Sequence, residues 1–578
     1  MTIFRVFLLS MMLSMSVFAD EGLNVSVAIS GIEGEELENV KVHLGYADFV
    51  SNPQRDISVR RWYKASKKRI KKSLEALGYY SVDIESDYLK SEEKVQISFI
   101  INLNEPVIVE NVDVTIAGEG NSDLGFLTVT EKFNQLRGKK FRHDNYESLK
   151  SDLANIAVAK GYFDSQFTTR KVDVFPDKKS AMIMVKFDSG NRYLFGEVTF
   201  DKSRLSQKFL QAFIPFEYAE KYDAAKLIKL RSKLLSSQYF SSVNVVRGDK
   251  PADSLLWPIT VNYQLKPRYK YDFGVGFGTD TGARISLGFE DRLLNSSGHH
   301  YSIFTVVSQK QQNAGFEYIY PLEDPLHDLY KFTISYEKED IDFASTKAFV
   351  TGAERVRIKE NDWTRSLFIR YMQEKSYIAE RDVDASLLLP GISWVQSHSN
   401  DFKYPTKGWM GNINLMGGIE SVGSDFSLLH ARTRFKLIKS LFPGFRLLLR
   451  TELGGMHVED EDYNNMPLSL RFFAGGDKSV RGYEYKYLSP ELDGHKIGAR
   501  YLVVGSAEVD YKVSQDWAVA TFVDYGGAIN KFTEPLDSGV GVGLRWFSPV
   551  GPVRFDLAFP QDNKADNFRI HFSIGPDL

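Results

Sequence analysis

Alternation of apolar and polar residues runs through the second half of this 578-residue chain. In Phe568 to Ile574, Arg569, His571 and Ser573 separate four apolar side chains, and Trp517 to Gly526 and Leu429 to Leu437 show a similar pattern. A period of two residues places successive side chains on opposite faces of a β-strand. An apolar outer face and a polar inner face are typical of a transmembrane barrel, whereas a soluble sandwich rarely repeats charges so densely.

About sixteen such segments follow one another from Tyr269 onward. A spanning strand needs roughly 9–11 residues, and an even number of strands returns both ends of a barrel to one side of the membrane. Thirty of the 43 glycines lie in residues 267–578, which marks the change in pattern. We therefore predict a 16-stranded antiparallel transmembrane β-barrel over residues 267–578.

The first half of the chain contains a repeat. Three helical segments each end in an aromatic pair, at Tyr79-Tyr80, Tyr162-Phe163 and Tyr239-Phe240. A strand precedes each helical segment and two strands follow it, so a β-α-α-β-β unit recurs about every 80 residues. The predicted units span residues 20–105, 106–190 and 191–266.

Residues 1–19 have the pattern of a secretory signal peptide. Arg5 precedes an apolar stretch from Val6 to Val17. Val17 and Ala19 are small residues at positions −3 and −1 of the expected cleavage site before Asp20. The stretch is too short for a membrane-spanning helix, and no later segment has 18 uninterrupted apolar residues. We expect an exported protein whose three units lie in the periplasm.

Composition and motifs argue against several classes of function. The chain has no cysteine, which excludes disulfides and thiolate metal sites, and its net charge of −3 is not that of a general nucleic-acid binder. The sequence contains no P-loop, HExxH or GxSxG pattern. We expect no enzyme activity, cofactor, metal site, nucleotide or nucleic acid.

The longest connection in the predicted barrel runs from about Val458 to Ile497. Connections of this length are usually functional. It contains the tetrad Val480-Arg481-Gly482-Tyr483, and alternation points Phe522 and Asp524 of a later strand into the lumen. Arg481 could enter the lumen and dock on this carboxylate and aromatic ring. A solvated extracellular loop is the alternative interpretation.

The tetrad, the Phe522-x-Asp524-x-Gly526 strand and the turn at residues 551–554 (GPVR) together resemble the Omp85 superfamily. Members of this superfamily carry periplasmic POTRA domains, which are β-α-α-β-β units, before a 16-stranded outer-membrane barrel. The resemblance implies that Arg481 locks the sixth loop inside the barrel. It also implies that Val480, Gly482 and Tyr483 belong to the lock, with Phe522, Asp524 and Gly526 as its partners in the lumen.

The resemblance implies a function without bond chemistry. Members of the superfamily insert or secrete β-rich outer-membrane proteins, among them autotransporters. Those with three POTRA units work with a large TamB-like protein anchored in the inner membrane, which the POTRA domains reach. The implied partners are this protein, unfolded β-barrel clients and outer-membrane lipids.

The predicted barrel closes between its first strand, Tyr269 to Gly278, and its last, Phe568 to Ile574. Glycines at positions 274, 276 and 278 weaken the first strand, and Pro576 follows the last, so both edges should pair poorly. An equally weighted interpretation is that glycines make room for the inserted loop, which Gly539, Gly541 and Gly543 favour. The predicted seam residues are Tyr269, Tyr271, Phe273, Val275, Phe277, Phe568, Ile570, Phe572 and Ile574.

Three other functions remain open on the sequence. A two-partner secretion exporter of the same superfamily typically has two POTRA units and a plugging helix, which this chain does not match. A factor mainly for phospholipid transport between membranes is the second. A passive porin is the third, and it explains the alternation but not the three units or the tetrad.

Overall fold

The computed structural model describes residues 24–51, 55–92, 94–202, 204–359, 361–401, 404–549, 551–562 and 567–575. The predicted signal peptide and Pro576 lie outside these ranges. Within them, no helix is long and apolar enough to cross a bilayer.

The first repeat unit packs three helices on a three-stranded sheet. Its elements are β1 (Asn24–Ser30), α1 (Gly34–Leu44), α2 (Tyr46–Ser51), α3 (Asp56–Ala76), β2 (Asp83–Lys90) and β3 (Lys94–Asn102). The sheet order is β1-β3-β2, with β3 parallel to β1 and antiparallel to β2. Trp62 of α3 stacks on Phe49 of α2 with ring centroids 4.0 Å apart, so the short helix α2, which the repeat did not predict, closes the core.

The second and third units repeat this topology with two main helices each. Their sheets have the orders β4-β6-β5 and β7-β9-β8. Their elements are β4 (Ile108–Ala117), α4 (Leu124–Asn134), α5 (His143–Lys160), β5 (Gln166–Phe175), β6 (Ser180–Asp188), β7 (Leu194–Phe200), α6 (Gln207–Gln211), α7 (Ala224–Ser236), β8 (Phe240–Arg247) and β9 (Leu256–Leu265).

The second half of the chain is a closed antiparallel barrel of sixteen strands, which confirms the predicted fold class. The first eight strands are β10 (Tyr269–Gly278), β11 (Gly282–Asp291), β12 (His300–Ser308), β13 (Gln311–Pro321), β14 (Asp328–Ile341), β15 (Ala344–Ile358), β16 (Thr364–Ile378) and β17 (Arg381–Ser399). They continue with β18 (Lys407–Gly418), β19 (Leu428–Phe442) and β20 (Phe445–Val458).

A connection between β20 and the next barrel strand holds the helix α8 (Asp460–Tyr463) and a small hairpin of β21 (Glu491–Leu492) and β22 (His495–Lys496). The barrel then continues with β23 (Tyr501–Lys512), β24 (Trp517–Ile529), β25 (Asp537–Ser548), β26 (Gly551–Pro560) and β27 (Arg569–Ile574). The barrel closes where its first strand, β10, meets its last strand, β27, and this junction is called the seam.

The outer face of the barrel is apolar and rich in aromatic rings. Tyr269, Phe289, Tyr301 and Phe316 form a row on consecutive strands, with neighbouring ring centroids 5.7 to 6.0 Å apart. Aromatic rows at the ends of strands are typical of the membrane interface, where an amphipathic ring has one end in lipid and one in water.

The seam between β10 and β27 is much weaker than the other joints. β16 pairs with β17 continuously from Thr364↔Val395 to Ile378↔Arg381, whereas the described residues of β10 and β27 pair at Gly278↔Ser573 alone. Hydrogen bonds between Thr279 and Phe572 extend this contact by one step. Over most of the edge of β10, the described residues of β27 therefore provide no strand partner for the backbone N–H and C=O groups.

A substitution on each face of one strand tests which face meets lipid. Ile334 and Thr333 are neighbours midway along β14, with Ile334 outward and Thr333 toward the lumen. We expect Ile334→Lys to lower the free energy of unfolding by about 2–4 kcal/mol, because a charge meets the hydrocarbon. Thr333→Lys is the matched control and should cost far less. Equal losses in urea unfolding of the two variants in lipid vesicles would contradict this assignment.

Candidate functional site

Residues 459–500 form the sixth connection on their side of the barrel and are called loop 6 below. Val480 and Tyr483 in the middle of this loop are completely buried, and Met466 and Leu470 pack in the same cluster as lumen-facing residues of the wall. Loop 6 therefore folds back into the lumen, and the extracellular, solvated alternative is wrong for this segment.

Arg481 lies at the centre of the contacts that hold loop 6. Its Nε and one terminal nitrogen donate to the two oxygens of Asp524, at 2.7 and 2.9 Å, and its backbone N–H donates to the same carboxylate at 3.0 Å. The guanidinium also lies 3.3 Å from the ring centroid of Phe522. A planar guanidinium fits this bidentate and stacked arrangement, which a lysine does not reproduce.

Further charged groups complete the cluster around Arg481. Its other terminal nitrogen donates to Glu508 at 2.8 Å and to Asp556 at 3.2 Å. Arg545 bridges the same two carboxylates, and Arg450 lies 3.9 Å from Asp524. Three guanidinium groups thus face three carboxylates, so the buried charges balance.

Sequence reasoning missed four members of this charge cluster. Alternation places Arg450, Glu508, Arg545 and Asp556 on the inner face of their strands, which was the available signal. Nothing in their spacing along the chain shows that they meet Arg481, because each comes from a different strand.

Glycines bring the wall close to loop 6. A Cβ on Gly539 would lie 1.9 Å from the carbonyl oxygen of Arg481 in loop 6. The neighbour of Gly526 belongs to the wall instead, since a Cβ there would lie 2.2 Å from the carbonyl oxygen of Val503 in β23. Gly482 has φ +101, a conformation that favours glycine, and its neighbour Tyr483 donates to the Ser538 carbonyl. On the β25 side, glycine therefore makes room for the inserted loop.

The glycines of β10 have different neighbours. A Cβ on Gly276 would meet only the end of the Arg284 side chain at 3.5 Å, and one on Gly278 would meet Asp477 of loop 6 no closer than 3.7 Å. At Gly274 the close neighbour is the Ser286 hydroxyl, a movable side-chain end. These glycines are not wedged against the inserted loop, which favours the interpretation that they weaken the edge strand.

Loop 6 also bridges the seam. His571 Nδ1 of β27 lies 2.6 Å from Asp477 of loop 6, and the Gly482 N–H donates to His571 Nε2 at 2.9 Å. On the other side, the Asp477 N–H donates at 2.7 Å to Asp280, in the turn after β10. Arg569 of β27 pairs with Glu484 at 2.9 Å. Both seam strands are therefore held by the same loop.

Eight of the nine predicted seam residues are exposed, and the ninth, Phe572, is half-buried. Tyr271, Phe273 and Val275 expose 72–75% of their surface, more than the other outward residues of the barrel wall do on average. Phe572 is half-buried, with its ring centroid 5.7 Å from that of Phe277. Phe568 precedes β27 rather than belonging to it. The remaining outward seam residues are Tyr269, Phe277, Ile570 and Ile574.

Comparisons with known protein families match both halves of the chain. The model of the "Omp85 superfamily domain" matches residues 275–577, and that of the "POTRA domain TamA domain 1" matches residues 26–103. The first covers more than half of the chain. The protein therefore belongs to the Omp85 superfamily, and its first repeat unit is a POTRA domain.

Curated relatives carry the name outer membrane protein assembly factor BamA. The protein of Nitratidesulfovibrio vulgaris is 27% identical over 34% of this chain and 26% of its own length. That of Neisseria meningitidis is 21% identical over 86% of this chain and 70% of its own length. The chain thus spans only about a quarter of the first of these relatives.

Among solved structures, BamA from Haemophilus ducreyi lacking POTRA domains 1–3 has a TM-score of 0.57 and 15% identity. The match covers 96% of this chain and 99% of that one, and it shows a shared fold. Membership of the Omp85 superfamily and the closed barrel place the chain in the outer membrane with its POTRA domain in the periplasm, as the sequence predicts. A controlling role for the tetrad and its partners stays a prediction.

Loss of the Arg481 side chain should release loop 6. We expect Arg481→Ala to destabilise the docked loop by about 3–5 kcal/mol, because buried carboxylates lose their partner. Trypsin should then cleave at Lys486, whose ammonium contacts Glu339 at 2.5 Å in the docked loop. Arg481→Lys should show intermediate trypsin resistance, since the positive charge stays but the bidentate contact with Asp524 is lost.

Lys310→Ala is the control for this experiment, because it removes a surface ion pair with Asp342 at the end of a barrel hairpin. Trypsin resistance of Arg481→Ala equal to that of Lys310→Ala would contradict the central position of Arg481.

Docking of loop 6 should depend on pH through Asp280, which lies in a turn outside the strands. Burial, and then the charge of Asp477, raise the pKa of Asp280 to about 7, while His571 and Arg569 act in the opposite direction. A raised folded-state pKa means stabilisation that is complete below about pH 4 and is lost as the pH rises through about 7. Loop 6 should be less protected from protease at about pH 8 than at about pH 5.

Asp280→Asn isolates the contribution of this carboxyl, because the amide oxygen still accepts the Asp477 N–H. We expect the variant to keep its low-pH protection at high pH. An unchanged pH dependence in the variant would assign the effect to another group.

Proposed function

We propose that this protein inserts or secretes β-rich outer-membrane proteins through the seam between β10 and β27. The observation that carries the proposal is the single described residue pair, Gly278 with Ser573, that joins these strands in an otherwise continuous barrel. The other pairs of neighbouring barrel strands are paired over many residue positions. Separating β10 from β27 therefore breaks the fewest backbone hydrogen bonds and costs the least free energy.

A client strand that enters lipid needs partners for its backbone. Each unpaired N–H or C=O group in hydrocarbon costs several kcal/mol. The edge of β10 presents such groups wherever the described residues of β27 do not pair with it. A client strand added at this edge would pair its own backbone groups and those of β10 at the same time. The client's own folding provides the free energy, and we propose that the protein catalyses no bond chemistry.

Loop 6 serves as the latch of this seam. Opening has to release the contacts of Asp477 and Gly482 with His571, and that of Asp477 with Asp280. These are a few polar contacts rather than a complete strand ladder. The charge cluster around Arg481 holds the loop in place, so we expect it to set how often the latch opens.

The match of residues 26–103 to the first POTRA domain of TamA supports a TamA-like role for the whole chain. In this role the POTRA domains reach a TamB-like partner anchored in the inner membrane, and autotransporters are among the clients. Three sheets with the same topology support this assignment, since it requires three POTRA units.

A reversible cross-link at the seam tests the proposal. Gly278 and Ser573 lie directly opposite each other, and directly paired antiparallel residues are about 4.5–5.5 Å apart, within the reach of a disulfide. We expect the double variant Gly278→Cys, Ser573→Cys to lose client assembly when oxidised and to regain it when reduced. The chain has no native cysteine to interfere.

The matched control joins β10 to its other neighbour. Val275 and Ile285 are also directly opposite, so Val275→Cys with Ile285→Cys cross-links a joint that the proposal leaves closed. Assembly should survive oxidation in this variant. Full activity of the oxidised seam variant would refute gating at the seam, and a steady open ion conductance with no assembly activity would favour a porin.

A further inference from the structure

Helix α3 of the first POTRA domain has an unusually basic outer face. Ile70, Val59 and Leu74 pack it into the core of the domain, and the opposite side meets solvent. The exposed side chains of that face are Arg60, Arg61, Lys64, Lys67, Lys68, Lys71 and Lys72, and these seven residues are called the basic face below.

The geometry of a helix places these charges together. At about 100° and 1.5 Å per residue, the seven positions fall within an arc of about 140° and extend over about 18 Å. Ile57 lies within the same arc one turn nearer the N-terminus, and 73% of its surface is exposed. The face thus combines clustered cations with an apolar side chain at one end.

Few ion pairs balance this charge within the described part of the domain, and Glu75 is the one anion that shares the arc, at the C-terminal end of the helix. Arg60 pairs with Asp56, which Lys90 shares. The other six cations of the basic face have no ion pair within the described residues. Like charges at such spacing repel each other and destabilise the helix. An anionic surface that covers them would remove this electrostatic repulsion.

A cleft lies along one border of the basic face. It has a volume of about 250 Å³ and is lined by Arg61 and Arg69 together with Ser58 and the aromatic pair of Phe49 and Trp62. Guanidinium and hydroxyl groups beside an apolar floor match a phosphate group attached to a hydrocarbon chain.

We propose that the basic face binds the surface of an anionic phospholipid bilayer, with Arg61 and Arg69 contacting headgroup phosphates at the cleft. A convex row of cations with an exposed isoleucine matches a flat, fluid array of negative charge. An acidic protein segment is the competing occupant, but only one cation of the basic face, Arg61, lines the cleft, and the other six lie outside it. The inference does not depend on gating at the seam.

Binding of the full protein to vesicles tests this inference. With its barrel held in a phosphatidylcholine nanodisc, the protein should float with vesicles that contain phosphatidylglycerol and not with vesicles of phosphatidylcholine alone. Binding should weaken at ~0.5 M salt, where screening shortens the range of charge attraction. Replacing Lys64, Lys67, Lys68 and Lys71 by Gln should weaken binding by about tenfold or more.

Two variants control for net charge and for folding. The first control variant replaces four exposed lysines of the second repeat unit by Gln: Lys132, Lys139, Lys178 and Lys186. It removes the same charge from another part of the protein and should leave vesicle binding unchanged. Arg at the four α3 positions keeps the charge and should retain binding. Equal vesicle binding by the two Gln variants would overturn the proposal. Binding of the protein to polyglutamate but not to phosphatidylglycerol vesicles would also overturn it, because that result would assign the basic face to an acidic protein.

Discussion

A buried group of balanced charges holds the interior of this barrel together. Arg481 reaches Asp524, Glu508 and Asp556, which lie on three different strands, and Arg545 links two of these carboxylates again. Buried charges persist only when each has a partner, so the group specifies one position for loop 6. Successive side chains of a strand point to opposite faces of the barrel wall. The outer face can therefore be apolar toward lipid while the inner face carries these charges.

The position of loop 6 determines how the barrel closes. Strand pairing at the seam is confined to one described residue pair, and the loop compensates by contacting His571 on one side and Asp280 on the other. Closure therefore depends on side-chain contacts of a loop more than on a backbone ladder. Such contacts can be released and remade without unfolding the remaining joints, which is the property that a gate requires.

The barrel and the repeat units could be predicted from sequence because they follow short periods: two residues in the strands, and about 80 residues between aromatic pairs. The neighbours of Arg481 were predicted only in part, since Phe522 and Asp524 belong to a recognisable motif and Glu508 does not. The contact of Asp477 with His571 joins residues 94 positions apart without a local pattern. Only the closed barrel brings them together, so sequence periodicity could not reveal the latch.

Amide hydrogen exchange along β10 tests most directly whether loop 6, rather than strand pairing, closes the barrel. Amides of β10 that point toward β27 should exchange far faster than those of β16, which pair on both sides. In Arg481→Ala the remaining protection near Gly278 should disappear while that of β16 stays. Uniformly slow exchange along β10 in both proteins would contradict the account.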